Sequence, residues 1–461
     1  MGTGNDLMNA KHKIMTIAER FADYIYITSY DSIPKYIQRF AKLCILDWIG
    51  VTLGGSKEPV SDILLDLIDI MGGNPHATII GKGVKTNALF AALINGTMSH
   101  ALDFDDTHKD AGIHPSVCLA PAAIAVAEYK RASGRDLITA FIIGFEVAAR
   151  IGIAAGQTHY EYGWHATATI GRFGATASAA KLMGLSPEQI VNAFGITGTQ
   201  VSGLREVFGT MSKPFHAGKA AMDGILSMAL ARRNFDSSHE IFEGRFGLKN
   251  VFSPKSQSSD MLTGLGKQHH IQDIAFKPYA SALATHSTIQ AIEAIRKEEN
   301  ITAADVEEVQ IEFGPLPYSV VNRKNPQKVL EGKFSVQHCA AIALIRGRVS
   351  RDMFTSKDLN DPHIIAIRDR INVLLNPELT MFETIVTVKT KQGATLNKFI
   401  KESKGSPGVP LTLPEMKEKF MDLASSVIPK ENAEKIFEKI GRLQEIQDVN
   451  EIISLCNPEK K

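Results

Sequence analysis

The amino-acid sequence predicts a mainly α protein, a large all-helical domain with a smaller α+β domain inserted into it. Two observations predict this class. Across residues 1–271 apolar side chains recur at helical spacing in one segment after another. Between about 272 and 405 the pattern shifts to include strict alternation, and from 406 to 461 it returns to helical spacing, as in LTLPEMKEKFMDLASSVI. The last stretch is therefore expected to rejoin the first domain. With 461 residues, 44% of them apolar, the chain can build two or three cores.

The elements are read in order. Ser32 is expected to cap a helix with Pro34 in its first turn and Gly54-Gly55 at its stop. Between these, Ile37, Ala41, Cys44, Ile45, Trp48 and Ile49 recur at helical spacing. Further helices are expected at about 87–100, 116–131, 135–154, 167–184, 187–201 and 215–233. Ser186-Pro187-Glu188-Gln189 is a strong start signal. Stretches such as GATASAAKLMG are rich in small residues, which let helix backbones approach closely. In the inserted part, EEVQIEFG reads as a strand and TIVTVKTKQGATLNKFI as a hairpin turning at Lys391-Gln392-Gly393. Helices around 287–298, 335–346 and 357–372 lie between them.

Several functions are disfavoured. The formal net charge is +1, from 51 basic and 50 acidic residues, so nothing suggests a nucleic-acid partner. No apolar run reaches the roughly 18–20 residues of a membrane span. The segment MGTGNDLMNAKHK lacks the apolar core of a signal peptide. Cys44, Cys118, Cys339 and Cys456 are too scattered for a metal-ligand, redox or iron–sulfur pattern. No GxGxxG, P-loop, HExxH or GxSxG signature occurs. A cytoplasmic enzyme without metal or other cofactor is expected.

Two patterns carry chemistry. Asp103, Asp105, Asp106, His108 and His114 place three carboxylates and two imidazoles within twelve positions of an otherwise bland helical context. Taken alone, such a loop is more often a solvated one whose aspartates cap helices. The second pattern is a set of cations at helix starts. His114 precedes the helix opened by Pro115-Ser116, and His165 precedes one beginning near Thr167. Lys213 stands before the first-turn Pro214, with His216 in the same turn. His286 opens STIQAIEAIRK, with Lys277 in the loop before it. A cation there opposes the helix dipole at a cost of about 0.3–1 kcal/mol, so four cases suggest a shared purpose. Helix N-termini bind anions. Added lysine and histidine make a site for several carboxylates, and the same field lowers histidine pKa values.

The stretches LDWIGVTLGG, HALDFDDTH…HPS, GWHATATIGRFGATASAAKLMGLSPEQ, SKPFHAGKAAMDG and KPYASALATHSTIQAI resemble the MmgE/PrpD family over roughly residues 15–405. That family includes 2-methylcitrate dehydratases, cis-aconitate decarboxylases and an iminodisuccinate epimerase. The resemblance implies a helical domain, a smaller α+β lid, a homodimer and no metal. It places the site on Asp103, Thr107, His114, His165, Lys213 and His286. The chain departs from the pattern in having Tyr279-Ala280 where many members have an aromatic residue and proline. Its spacing from Asp103 to His114 is one residue longer than in the animal decarboxylases. Tyr318 is the nearest counterpart of a lid tyrosine.

The expected substrate is a small polycarboxylic acid, undergoing dehydration or decarboxylation; epimerisation of an imino-diacid is the alternative. Each reaction needs an acid, a base and cations that hold enolate-like charge. Lys213 and His286 are assigned to carboxylate binding, His114 and His165 to proton transfer, Asp103 to orienting a histidine and Thr107 to a hydroxyl contact. Lys277 and His286 are expected to arrive with the lid, and His216 to join substrate binding. Two other classes compete. Asp105-Asp106 begins an imperfect DDxxD metal motif, as in prenyl synthases, but its third carboxylate is Asp110. A non-catalytic polycarboxylate-binding protein is the other.

Overall fold

The computed structural model describes residues 15–253 and 261–459. Among the described residues, nine helices of eleven residues or more form most of the first part: α1 Ile17–Ile27, α2 Lys35–Gly55, α3 Pro59–Met71, α4 Ala88–Ala101, α5 Ser116–Lys130, α6 Gly134–Glu161, α7 Ala166–Met183, α8 Pro187–Thr199 and α9 Ser212–Ala231. Each expected helix is present. The start signal at Ser186 is a capping box, in which Ser186 and Gln189 satisfy each other's backbone N–H groups. Two ends differ from expectation. Ser32 does not cap α2, because its hydroxyl is spent on the Ser29 backbone, donating to Ser29 O at 2.7 Å and accepting from the Ser29 N–H at 3.1 Å; Pro34 takes the cap position. Helix α6 continues to Glu161, with a kink at Gly156, whose φ of +66° breaks the helical path.

Close approach explains the small residues. A Cβ on Gly218 of α9 would lie 1.9 Å from the Leu93 carbonyl of α4, and one on Gly144 of α6 would lie 2.6 Å from the Gly174 carbonyl of α7. These helices pack backbone against backbone. Helix α6 is long and apolar enough to cross a bilayer by length and composition, contrary to the sequence expectation, although Glu146 and Arg150 interrupt its apolar run. In the structure 94% of its most apolar window is buried inside the protein, as befits the central helix of a core.

The apolar core of this part runs from Ala18 to Phe276 and resumes at Met416, ending at Cys456. The C-terminal helices Leu413–Ala424 and Lys430–Gly441 thus pack on the first nine. A second apolar core occupies Ala282 to Val388. It lies under a four-stranded sheet ordered Ile371–Leu375, Val306–Phe313, Thr384–Thr390, Thr395–Ile400; the first pair is parallel and the rest antiparallel. Helices His286–Glu298 and Val336–Arg346 cover one face. The alternation is physical: Val306, Val309, Ile311 and Phe313 point into this core. The hairpin turns as expected, with Gly393 at φ +86°.

One expectation fails here. Residues 357–372 are not one helix; two short helices, Ser356–Leu359 and Pro362–Arg368, give way to the edge strand at Ile371. Pro362 cannot continue the first helix. The two crossings between the cores run side by side, Phe276 donating its N–H to Gly405 O at 2.8 Å. Gly405 has φ +88°, and a Cβ there would meet that Phe276 carbonyl at 2.0 Å, so only glycine fits.

Candidate active site

The helix starts converge. His114 sits one residue before the N-cap of α5, His165 is the N-cap of α7, and Lys213 lies in the first turn of α9. All three line one cavity of about 590 Å³, together with Asp103, Thr107 and Lys277. Thr107 reaches it from a two-residue strand paired with Ile274–Ala275, which carries the chain towards Lys277. The close packing of α4 on α5 and α9, and of α7 on α9, holds these starts together.

His114 is held by its inner nitrogen. Nδ1 lies 2.8 Å from Asp105 Oδ2, 3.0 Å from the Asp106 carbonyl and 3.2 Å from Thr107 Oγ1. A carboxylate and a carbonyl can only accept, so Nδ1 carries a proton and Nε2 is the nitrogen left for exchange with a substrate. Asp105 also accepts from His100, whose Nδ1 is 3.0 Å from both carboxylate oxygens. Burial works against the Asp105 charge, but the His100 and His114 imidazoles hold its carboxyl well below the usual range. Asp106 behaves oppositely. Buried, and beside Asp47, it is pushed up to about 8 and is anchored to the backbone and hydroxyl of Ser116.

His165 Nδ1 meets His216 Nδ1 at 3.0 Å, so one ring donates and the other accepts. Phe208 stands edge-on to His165 at 5.0 Å. Burial first, then His100 and Lys213, hold His165 well below the usual imidazole range, so it is neutral near pH 7.

Asp103 stands at φ +53°, just past the end of α4. Its Oδ1 accepts from Lys213 Nζ at 2.5 Å, and its Oδ2 lies 3.3 Å from Lys277 Nζ. Burial opposes this charge too, yet the two ammonium groups keep the Asp103 carboxyl well below its usual range. The turn carrying Asp103 is held by lysines from three separate regions. Lys333 Nζ donates to the Leu102 carbonyl at 2.7 Å, Lys277 Nζ to that of Asp103 at 3.0 Å, and Lys419 Nζ to that of Phe104 at 2.8 Å. These carbonyls follow the negative end of α4, where cations are favourable. Burial brings Lys333 down to about 8.

The structure brings together Asp103, Thr107, His114, His165, Lys213 and Lys277, but His216 and His286 do not line the cavity. His216 backs His165. His286 is fully buried, its Nε2 3.2 Å from Ser281 O and its ring edge-on to Tyr279. The carboxylate on His114 is Asp105, not Asp103, because the left-handed turn at Asp103 aims its side chain at the lysines. Tyr318 packs against the second core. Sequence reasoning also missed His159 and Tyr160 on the cavity wall, and His100, Lys333 and Lys419 behind it. His159 and Tyr160 reach the wall through the kink at Gly156.

The buried imidazoles make stability pH-dependent. Burial holds His100, His108, His216 and His338 at about 4 and His286 at about 3, against about 6.5 in an unfolded chain. Burial raises Asp106 to about 8 and Glu146 to about 7, which works the other way. Between about pH 4.5 and 6.5 unfolding gives protons to five histidines and takes them from two carboxylates. Stability is therefore expected to be greatest near pH 6.5, to fall on acidification towards 4 as the histidines take up protons on unfolding, and to fall again towards pH 8 as Glu146 and Asp106 lose theirs in the fold. Calorimetry across that range checks this; a Tm that holds or rises on acidification contradicts it.

Two groups of three possible metal donors occur among the described residues: His100, Asp105 and His114, and His108, His270 and Asp273. In the first group the donor atoms are already bonded to one another, Nδ1–H to carboxylate. In the second, His108 Nδ1 accepts from Ala111 N and Nε2 faces the His270 carbonyl at 3.1 Å, which places the proton on the outward nitrogen.

The chain matches the model of the MmgE/PrpD N-terminal domain over residues 19–260 and that of the C-terminal domain over 279–443. It is 28% identical to a cis-aconitate decarboxylase-like protein of Aspergillus oryzae, covering 93% of this chain and 94% of that one. It is 26% identical to the cis-aconitate decarboxylase of Mus musculus, over 96% of this chain and 93% of the relative. A 2-methylcitrate dehydratase of Escherichia coli is 24% identical over 77% of each. The two domain matches together span most of the sequence, and the chain belongs to the MmgE/PrpD family.

Proposed function

We propose that the chain decarboxylates or dehydrates a small polycarboxylic acid without a metal ion. Family membership makes it a lyase of the MmgE/PrpD type. The observation that carries the reading is the cavity wall itself, where the Lys213 and Lys277 ammonium groups converge on the single carboxylate of Asp103, with the His114 and His165 imidazoles on the same wall. Two ammonium groups over one carboxylate leave a net positive charge there, which attracts anions.

Lys213 and Lys277 would hold substrate carboxylate and the enolate-like charge that builds beside it. His114, its Nδ1–H fixed on Asp105, is oriented to exchange a proton with carbon through Nε2. His165, neutral and backed by His216, is the second proton carrier. In decarboxylation carbon dioxide leaves and a proton is delivered to the resulting carbanion. In dehydration a proton leaves carbon and the departing hydroxyl is protonated. Thr107 steadies His114, and closing of the second part over the first would exclude water.

The test is incubation of purified protein with cis-aconitate and with 2-methylcitrate, with and without chelator, followed by proton NMR in deuterated water. Turnover of at least one acid, unchanged by chelator, is expected. Binding with neither turnover nor proton exchange would make the protein a non-catalytic binder. Loss of activity with chelator, restored by added metal, would overturn the metal-free reading.

A further inference from the structure

The cavity is chemically two-sided. Its charged side chains all come from residues before 278, among them Asp103, His114, His165, Lys213 and Lys277. Residues 282–400 form the opposing surface, and every side chain they contribute to the lining is apolar except Thr380. Leu316, Val320, Phe334, Leu379 and Met381 make up most of it.

The backbone of this surface offers few donors. Pro315 and Pro317 have no N–H. The N–H of Ala282 is given to Lys333 O, that of Leu379 to Asn376 O and that of Thr380 to Glu383. A carboxylate pressed against such a surface would lose its water and gain no partner, a cost of several kcal/mol for a charged group. An acid with carboxylates on every side therefore fits poorly. The volume of about 590 Å³ lies within the range that holds drug-sized ligands, which is more room than an unsubstituted tricarboxylate fills. Phe334 marks the junction, its ring centre 5.0 Å from Lys213 Nζ.

From this division we infer that the substrate is a polycarboxylate bearing an alkyl substituent longer than methyl, with its carboxylates on the cationic wall and its chain under the apolar surface. The inference rests on the function proposed above and narrows its substrate class.

The experiment compares kcat/KM for cis-aconitate and 2-methylcitrate with that for their butyl- and hexyl-substituted homologues. Each added methylene is expected to raise kcat/KM about fourfold, the equivalent of ~0.8 kcal/mol per buried CH₂, until the chain outruns the surface. Leu316→Lys is expected to cut the ratio of long-chain to short-chain kcat/KM at least tenfold. If the short acids are turned over and alkyl chains only lower the rate, this inference fails while the proposed function stands. An unchanged ratio in Leu316→Lys also counts against it. If no acid of either series is turned over or exchanges protons, the proposed function itself fails, and this inference with it.

Discussion

Replacing His165 by glutamine is expected to lower kcat about 100-fold or more, the usual worth of a positioned proton carrier, while KM changes little. The side chain lines the cavity, and burial with neighbouring cations keeps its ring neutral. Glutamine preserves much of the shape and can still hydrogen-bond His216, but it cannot carry a proton. Steady-state kinetics on whichever acid is turned over would measure this. Native turnover in the variant would remove His165 from acid–base chemistry, and a large rise in KM alone would make it a binding group.

Lys213→Ala should behave differently. It removes one of the two ammonium groups that flank Asp103, so binding and turnover should both suffer. The lost contact is worth roughly 1.5–3 kcal/mol, or roughly 10–150-fold in kcat/KM. A second effect follows from Asp103, whose carboxyl is held low by Lys213 ahead of Lys277. Without Lys213 that carboxyl should titrate at higher pH, so the acid limb of the kcat/KM profile should move up. A profile that overlays the native one would show that Lys213 is not what keeps Asp103 ionised. The contrast between the two variants is the real test of role: one loses rate, the other loses rate and affinity.

Much of this site was legible in the sequence because its logic is local. A basic residue next to a helix start is visible from spacing alone, and His114, His165 and Lys213 were found that way. The parts that were missed depend on distance or direction. Lys333 and Lys419 reach carbonyls 231 and 315 residues away, and nothing near them in the chain marks that reach. Asp105 and Asp103 are two positions apart, so only the left-handed turn between helix and strand decides which one meets a histidine. The edge strand Ile371–Leu375 is mostly exposed and lacks clean alternation, which hid it behind a helical reading. The apolar surface of the cavity escaped notice because Leu316 or Met381 looks in a sequence like any core residue. His286 matched the helix-start pattern, yet its bond to Ser281 O turns it away from the cavity wall.

The three lysines on consecutive carbonyls have a consequence for how the protein comes into being. They approach the Asp103 turn from a cavity-wall loop, from the second core and from the C-terminal helix Leu413–Ala424. A turn at φ +53° costs a non-glycine residue energy of order 1–3 kcal/mol and persists only when its surroundings impose it. During synthesis a chain that has grown past Lys277 already holds every histidine and lysine on the cavity wall. It does not yet hold Lys333 or Lys419, so two of the three carbonyls have no anchor and the carboxylate is not aimed. Catalytic competence should therefore appear late and abruptly, when the most sequence-distant contacts close. A chain released early would carry the right residues and remain inert.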